Sequence, residues 1–229
     1  MNSIIEGFGQ PMILLHGWGL SMQSMEPIFE AFKSNYKVCL LDLPGFGLSN
    51  ELDDYDNFND YMQEIINFIN QFQLHNPIII AHSFGARIAI RYASKYPVKL
   101  LVLTGAAGIK KPLTLSKKCA VLLFKVKKHL RIHSTRGSID YQNATPFLRK
   151  VLVQVVNQDL SHCLPLISAP TLLVFGDEDN ETPVWMGKKM AELIPISALI
   201  LFEGDDHFAY LHQMNRFISL IHHFIEGSE

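Results

Sequence analysis

Six short apolar runs, separated by segments of helical periodicity, limit most strongly what this chain can fold into. The runs hardly alternate between apolar and polar residues, which is typical of parallel strands covered on both faces. This order of strands and helices predicts an α/β fold, a doubly wound and mostly parallel sheet. The predicted strands are 12–15, 38–42, 78–81, 100–104, 172–175 and 198–202. The predicted helices between and after them are 23–34, 57–73, 84–95, 184–194 and 208–226.

One long segment interrupts the alternation. With 229 residues, of which 48% are apolar, the chain is large enough for one sizeable core that carries an insertion. We predict a core formed by residues 1–107 and 166–229, and a helical cap formed by residues 108–165. Within the cap, apolar residues recur at helical spacing between 115 and 130, and a second helix is predicted at 145–158.

The composition excludes several classes of protein. The formal net charge of −2 indicates no particular partner, and no apolar run approaches the ~18 residues of a membrane-spanning helix. The first ten residues lack the basic and apolar regions of a signal peptide. Three widely spaced cysteines, Cys39, Cys119 and Cys163, indicate reduced thiols rather than a disulfide framework or a zinc site. We therefore expect a cytoplasmic protein.

A serine lies between the third predicted strand and the helix that follows it. The five residues Ala81 to Gly85 (AHSFG) are a variant of the G-x-S-x-G pattern, in which a sharp strand-to-helix turn exposes the serine hydroxyl at the sheet edge. Such a turn requires small residues two before and two after the serine, as here. The alternative is that Ser83 only caps an ordinary helix.

A serine nucleophile requires a base and an acid that orients the base. His207 follows the last predicted strand, late in the chain, as the order Ser, Asp, His requires. Three carboxylates, Asp177, Glu178 and Asp179, follow the strand at 172–175, with turn formation or helix capping as their alternative roles. No carboxylate follows the strand at 100–104, the other position that such folds use for the acid.

The remaining histidines are expected to have other roles. His82 neighbours the serine, but on a tight turn its side chain should point away from it. His75 is expected in a loop. Six further histidines lie on or near predicted helices, where surface or packing roles are expected: His129, His133, His162, His212, His222 and His223.

A tetrahedral intermediate also needs backbone donors for its oxyanion. One is the amide that follows the nucleophile, that of Phe84. The second is expected from the loop after the first predicted strand, at the amide of Trp18. The alternative is that His16 and Gly17 simply end that strand.

These motifs together resemble the α/β-hydrolase family over nearly the whole chain. The matching segments are LLHGWG, LLDLPGFGLS, AHSFGARIAI, PTLLVFGDEDNETP and FEGDDHFAYLHQMNRF. The resemblance implies that Asp179, three residues after Gly176, is the catalytic acid rather than Asp177. It also implies a carboxylesterase or related acyl hydrolase that acts on a small-molecule acyl substrate without a metal or organic cofactor.

The chain departs from the family pattern in two places. Ala81 replaces the usual glycine of the serine turn and stays within its steric limit. The first residues resemble the second and third strands of the family, so the family's first strand is not represented.

Two other functions remain open at this stage. One is a C–C bond hydrolase or proton-abstracting lyase of the same fold. The other is a ligand-binding protein with little turnover.

The predicted cap is strongly basic. Between Lys110 and Arg136 the chain has nine Lys or Arg and no Asp or Glu. Three interpretations compete: a lid helix with solvated lysines, a cap whose positive charge attracts an anionic ligand, and an amphipathic helix that makes transient membrane contact. Nucleic-acid binding is not expected, because no recognition pattern accompanies the lysines.

Overall fold

The computed structural model describes residues 1–110 and 139–228. Its sheet contains seven strands in the spatial order β1-β3-β2-β4-β5-β6-β7. All neighbouring strands are parallel except β1, which pairs antiparallel with β3. The doubly wound, mostly parallel sheet is therefore confirmed. The strands are β1 (Ser3–Glu6), β2 (Pro11–Leu15), β3 (Lys37–Leu41), β4 (Ile78–His82), β5 (Leu100–Thr104), β6 (Thr171–Gly176) and β7 (Ser197–Phe202).

Helices connect successive parallel strands and cover both faces of the sheet. A 3₁₀ turn at Met22–Met25 precedes α1, and Pro27 near the start of α1 suits a position whose N–H has no intrahelical acceptor. The helices of the described residues are α1 (Glu26–Phe32), α2 (Phe58–Gln71), α3 (Phe84–Ala93), α4 (Ile139–Asn143), α5 (Pro146–Asn157), α6 (Val184–Leu193), α7 (Ala209–His212) and α8 (Met214–Glu226).

The two faces of the sheet belong to two separate hydrophobic clusters. In β2, Ile13 and Leu15 belong to one cluster, whereas Met12 and Leu14 belong to the other. Successive side chains of a strand point to opposite faces, so a strand covered on both sides needs apolar residues at every position. This explains the unbroken apolar runs of the sequence.

Two details of the predicted elements were wrong. The last strand was predicted to be fully buried, but in β7 only Phe202 is buried, because β7 is an edge strand with a neighbour on one side only. The single helix predicted at 208–226 is divided into α7 and α8 at Gln213. There, the side chains of His212 and Gln213 hydrogen-bond to Asp205 in the preceding loop.

The described part of the insertion packs directly on the core. Helix α5 matches the helix predicted at 145–158, and its residue Phe147 lies against Tyr55 and Tyr61 of the core. The Tyr55 hydroxyl also donates to Gln154 at 2.7 Å. The helix predicted within 115–130 and most of the basic residues lie outside the described residues, so the boundaries and role of the cap stay predictions.

Within residues 1–110 and 139–228, no helix is both long enough and apolar enough to cross a membrane.

Candidate active site

Three loops at the carboxyl ends of parallel strands bring the predicted residues together. Ser83 follows β4, Asp179 follows β6 and His207 follows β7. Strands β4 and β6 both flank β5, and β7 pairs with β6, so residues far apart in sequence meet at one edge of the sheet.

The turn at Ser83 is strained and tightly packed. Ser83 has φ +48° and ψ −105°, a backbone conformation that residues with a side chain rarely adopt. The turn is held by two backbone hydrogen bonds, from Ser83 N–H to Thr104 O and from Gly85 N–H to His16 O, both 3.1 Å long. A Cβ atom on Gly85 would lie 2.5 Å from the Leu15 carbonyl oxygen. The small residue that the motif required is therefore a steric necessity.

A continuous chain of hydrogen bonds joins the three side chains. His207 Nε2 lies 2.8 Å from Ser83 Oγ, and His207 Nδ1 lies 2.7 Å from Asp179 Oδ2. His207 is 6% exposed and Asp179 is 3% exposed. An Asp beside Nδ1 favours the tautomer whose Nε2 is free to accept the serine proton.

Asp179 rather than Asp177 contacts the histidine. Asp179 Oδ1 accepts from the amides of Glu181 and Thr182 at 2.7 and 2.8 Å, and Oδ2 also accepts from the Thr182 hydroxyl at 2.7 Å. Burial alone would raise the pKa of the Asp179 carboxyl, but the hydrogen bonds from His207 and Thr182 together lower it to about 2. Asp177 is exposed and accepts instead from the Gly204 amide.

His82, which was predicted to point away from Ser83, contacts the ring of the proposed base instead. Its buried ring lies 4.8 Å, centroid to centroid, from the ring of His207, and its Nδ1 donates to the Thr104 carbonyl at 3.1 Å. Burial, together with the neighbouring His207, lowers the pKa of His82 to about 3. His82 is therefore a neutral packing surface behind His207.

The loop after β2 is fixed by His16. Leu43 N–H donates to His16 Nε2 at 3.0 Å, so Nε2 carries no proton, and His16 Nδ1 donates to the Gly17 carbonyl at 2.8 Å. Burial lowers the pKa of His16, which agrees with the neutral ring. Because the peptide is trans, fixing the Gly17 carbonyl also fixes the Trp18 N–H on the opposite side.

The two predicted oxyanion donors lie next to Ser83. A Cβ atom on Gly17 would approach Ser83 Cβ to 3.3 Å, so the Gly17–Trp18 peptide borders the serine. Phe84 is the first residue of α3. No residue in the described part of the chain accepts from the amide N–H of Trp18 or Phe84.

Aromatic side chains form one wall beside the serine turn. The Phe84 ring lies 5.3 Å from that of Trp18, 6.0 Å from that of Phe46 and 5.6 Å from that of Tyr61. These contacts give the site an apolar flank.

Three contacting residues were not predicted from the sequence: Thr182, which holds Asp179; His82; and Glu181, whose Oε2 lies 3.5 Å from His207 Nε2. A signal existed for Thr182, since an Asp followed by polar residues often accepts the amides two and three positions on. His82 and Glu181 acquire their contacts only through the tertiary fold.

Within the described ranges, no group of three or more His, Cys, Asp or Glu side chains is arranged to hold a metal ion.

Comparison with known families decides the classification. The profile described as alpha/beta hydrolase fold matches residues 10–126, about half of the chain, and a second profile, described as TAP-like protein, matches residues 153–228. The chain belongs to the α/β-hydrolase fold family. The resemblance noted in the sequence is thereby confirmed.

Similar proteins within the α/β-hydrolase family are named as hydrolases or esterases. The AB hydrolase superfamily protein YisY of Bacillus subtilis is 28% identical, over 95% of this chain and 92% of its own. The pimeloyl-[acyl-carrier protein] methyl ester esterase of Legionella pneumophila (strain Corby) is 25% identical, over 99% of this chain and 100% of its own. This α/β-hydrolase is therefore an enzyme with hydrolase activity.

Solved structures agree in fold. An esterase from Exiguobacterium antarcticum superposes with a TM-score of 0.79 at 22% identity, over 98% of this chain and 94% of its own. The meta-cleavage product hydrolase CumD of Pseudomonas fluorescens superposes with a TM-score of 0.77 at 21% identity, over 100% of this chain and 94% of its own.

Proposed function

We propose that this α/β-hydrolase is a serine esterase that cleaves a carboxylic ester through an acyl-enzyme intermediate. The observation that carries the proposal is the hydrogen-bonded chain from Ser83 Oγ through His207 to Asp179 Oδ2, with distances of 2.8 and 2.7 Å. The proposed catalytic residues are Ser83, His207 and Asp179.

In the first half-reaction Ser83 Oγ attacks the ester carbonyl carbon while His207 Nε2 takes the hydroxyl proton. Asp179 keeps the proton of His207 on Nδ1 and stabilises the imidazolium that forms. The C–O bond to the alcohol then breaks, and Nε2 donates its proton to the leaving oxygen. The alcohol departs, and the acyl group remains on Ser83.

The carbonyl oxygen becomes negative in the tetrahedral intermediate and requires donors in fixed positions. We assign this role to the backbone amides of Trp18 and Phe84. The first is oriented by the hydrogen bond from His16 to Gly17, and the second lies at the N-terminus of α3, where the helix dipole favours negative charge.

In the second half-reaction water replaces the alcohol. His207 Nε2 takes a proton from water as its oxygen attacks the acyl carbon, and then returns a proton to Ser83 Oγ as the acid leaves. No step requires a metal or organic cofactor. We expect a small-molecule acyl substrate.

Two further observations support this assignment. A relative that aligns with the whole chain is named as a methyl ester esterase, which favours an ester over other acyl bonds. Cys39 and Cys163 are free and buried, which fits the reducing cytoplasm that we propose as the location.

Hydrolysis of p-nitrophenyl butyrate tests the proposal. We expect turnover with an initial burst of p-nitrophenol equal to the enzyme concentration, and its loss in Ser83→Ala. Unchanged turnover in Ser83→Ala would refute the assigned nucleophile. A folded wild-type protein without turnover on esters of several acyl lengths would refute the esterase.

A further inference from the structure

A second carboxylate contacts the proposed base from the side opposite Asp179. Glu181 Oε2 lies 3.5 Å from His207 Nε2, the nitrogen that also contacts Ser83 Oγ at 2.8 Å. Asp179 contacts the other ring nitrogen. The Glu181 side chain is 70% exposed, unlike the buried Asp179, so it borders the open part of the site.

The position of Glu181 coincides with the path of the leaving group. On the proposed mechanism His207 Nε2 donates a proton to the leaving oxygen, which must therefore lie within hydrogen-bond distance of Nε2. A charge two or three bonds beyond that oxygen then lies within several ångströms of the Glu181 carboxylate. Charges at such separations attract or repel measurably even in water.

The two loops nearest Glu181 are acidic in sequence. The loop and helix start at 176–187 contain four carboxylates, and the loop that carries His207, 203–215, contains three. Neither range contains a Lys or Arg. Hydrogen bonds join these loops, including one from Glu178 N–H to Asp205 O at 2.9 Å and one from Gly204 N–H to Asp177 Oδ1 at 2.7 Å.

We infer that Glu181 determines which alcohol leaving groups the enzyme prefers; this inference rests on the proposed esterase function. Glu181 favours esters of alcohols that carry a positive charge, such as amino alcohols, and disfavours esters of alcohols that carry a negative charge. The carboxylate acts on the alcohol part of the substrate, not on the acyl part.

Three butyrate esters of similar shape test this inference. Choline, 3,3-dimethylbutanol and isethionate carry a trimethylammonium, a tert-butyl and a sulfonate group on the same two-carbon arm. We would measure kcat/KM for each ester with the wild type and with Glu181→Gln. Dividing by the value for the neutral ester cancels any effect of Glu181 on the reactivity of His207, and comparing proteins cancels the intrinsic reactivity of each ester.

We expect Glu181→Gln to lower the choline-to-neutral ratio by about two- to fivefold, the effect of one exposed charge pair. The isethionate-to-neutral ratio should rise by a similar factor. Glu178→Gln is the matched control, because it removes the same charge from the same loop at an exposed position without contact to His207. It should change neither ratio by more than about 1.5-fold.

The outcomes separate this inference from the function on which it rests. Unchanged ratios in Glu181→Gln, with the neutral ester still hydrolysed, would overturn the specificity role alone. Equal shifts in Glu178→Gln would overturn the assignment to Glu181. If the folded wild type hydrolyses none of the three esters, and none of the corresponding esters of shorter and longer acyl groups, the esterase function is contradicted as well.

Discussion

Single residues show how two identical side chains acquire different roles. Asp177 and Asp179 both follow β6, yet only Asp179 is enclosed by the turn that continues to Thr182. It accepts three hydrogen bonds from that turn and one from His207. Asp177 accepts from the Gly204 amide and thereby joins two loops without contacting the histidine.

Replacing each aspartate by asparagine therefore has different consequences. In Asp179→Asn the imidazolium loses its counter-charge and the amide favours the wrong tautomer of His207, so kcat on p-nitrophenyl butyrate should fall by about ten-thousandfold. Asp177→Asn should retain kcat within about threefold. Equal losses in both variants would contradict the assigned acid.

The sequence predicted the principal side chains but not what surrounds them. The order Ser, Asp, His and the family spacing indicated Ser83, Asp179 and His207. The contact of His82 with His207 was not predictable, because it joins the ends of β4 and β7, which are separated in the sheet by β5 and β6. Local sequence reports the turn at Ser83 but not which ring packs behind it.

At the scale of elements, the serine turn works because helix α3 begins directly against the end of β2. Gly85 lies in the first turn of α3, where a side chain would meet the Leu15 carbonyl. Gly204 is required for another reason: it has φ +71°, but a Cβ atom there would meet nothing within 4 Å. An alanine at Gly85 would therefore suffer mainly from steric crowding, and an alanine at Gly204 mainly from backbone strain.

Replacing Gly85 by alanine should lower the melting temperature more than replacing Gly204 by alanine. Gly204→Ala incurs only backbone strain, about 1 kcal/mol, and should lower Tm by about 2–4 °C. Gly85→Ala forces α3 away from β2 and should cost about 2–3 kcal/mol, lowering Tm by about 5–10 °C. A smaller loss in Gly85→Ala than in Gly204→Ala would contradict the packing described for the turn.

The elements that the sequence predicted less well have identifiable causes. The burial of β7 depends on its place at the sheet edge, which its apolar residues do not reveal. The division of the last helix at Gln213 depends on hydrogen bonds to Asp205, eight residues earlier. Apolar periodicity predicts where strands and helices form. The order of strands in the sheet decides how deeply a strand is buried, and long-range hydrogen bonds decide where a helix ends.

For the whole molecule, two buried neutral histidines couple stability to pH. Burial lowers the pKa of His82 to about 3 and also lowers that of His16, both below the ordinary histidine pKa of 6.5. Below about pH 6.5 the unfolded chain therefore binds protons that the folded protein does not. The free energy of unfolding then falls as the pH falls, by about 1.4 kcal/mol per unit for His82 between about pH 6 and pH 3.5, and His16 acts in the same direction.

Urea unfolding at pH 7.5 and pH 5.0 measures this coupling. Between these values His82 alone should account for about 2 kcal/mol of the lost stability, so His82→Gln should lose about 2 kcal/mol less than the wild type. His75→Gln, which replaces an exposed histidine, is the control and should behave as the wild type does. An unchanged difference in His82→Gln would contradict a neutral, buried His82.

We propose that the fold activates one hydroxyl, that of Ser83. Covalent labelling with a fluorophosphonate probe, followed by mass spectrometry of the digested protein, measures this directly, because the probe reacts with activated serines. We predict one probe per chain, on the peptide that contains Ser83, and no labelling in Ser83→Ala. Labelling of another serine, or none in a folded wild-type protein, would contradict the account.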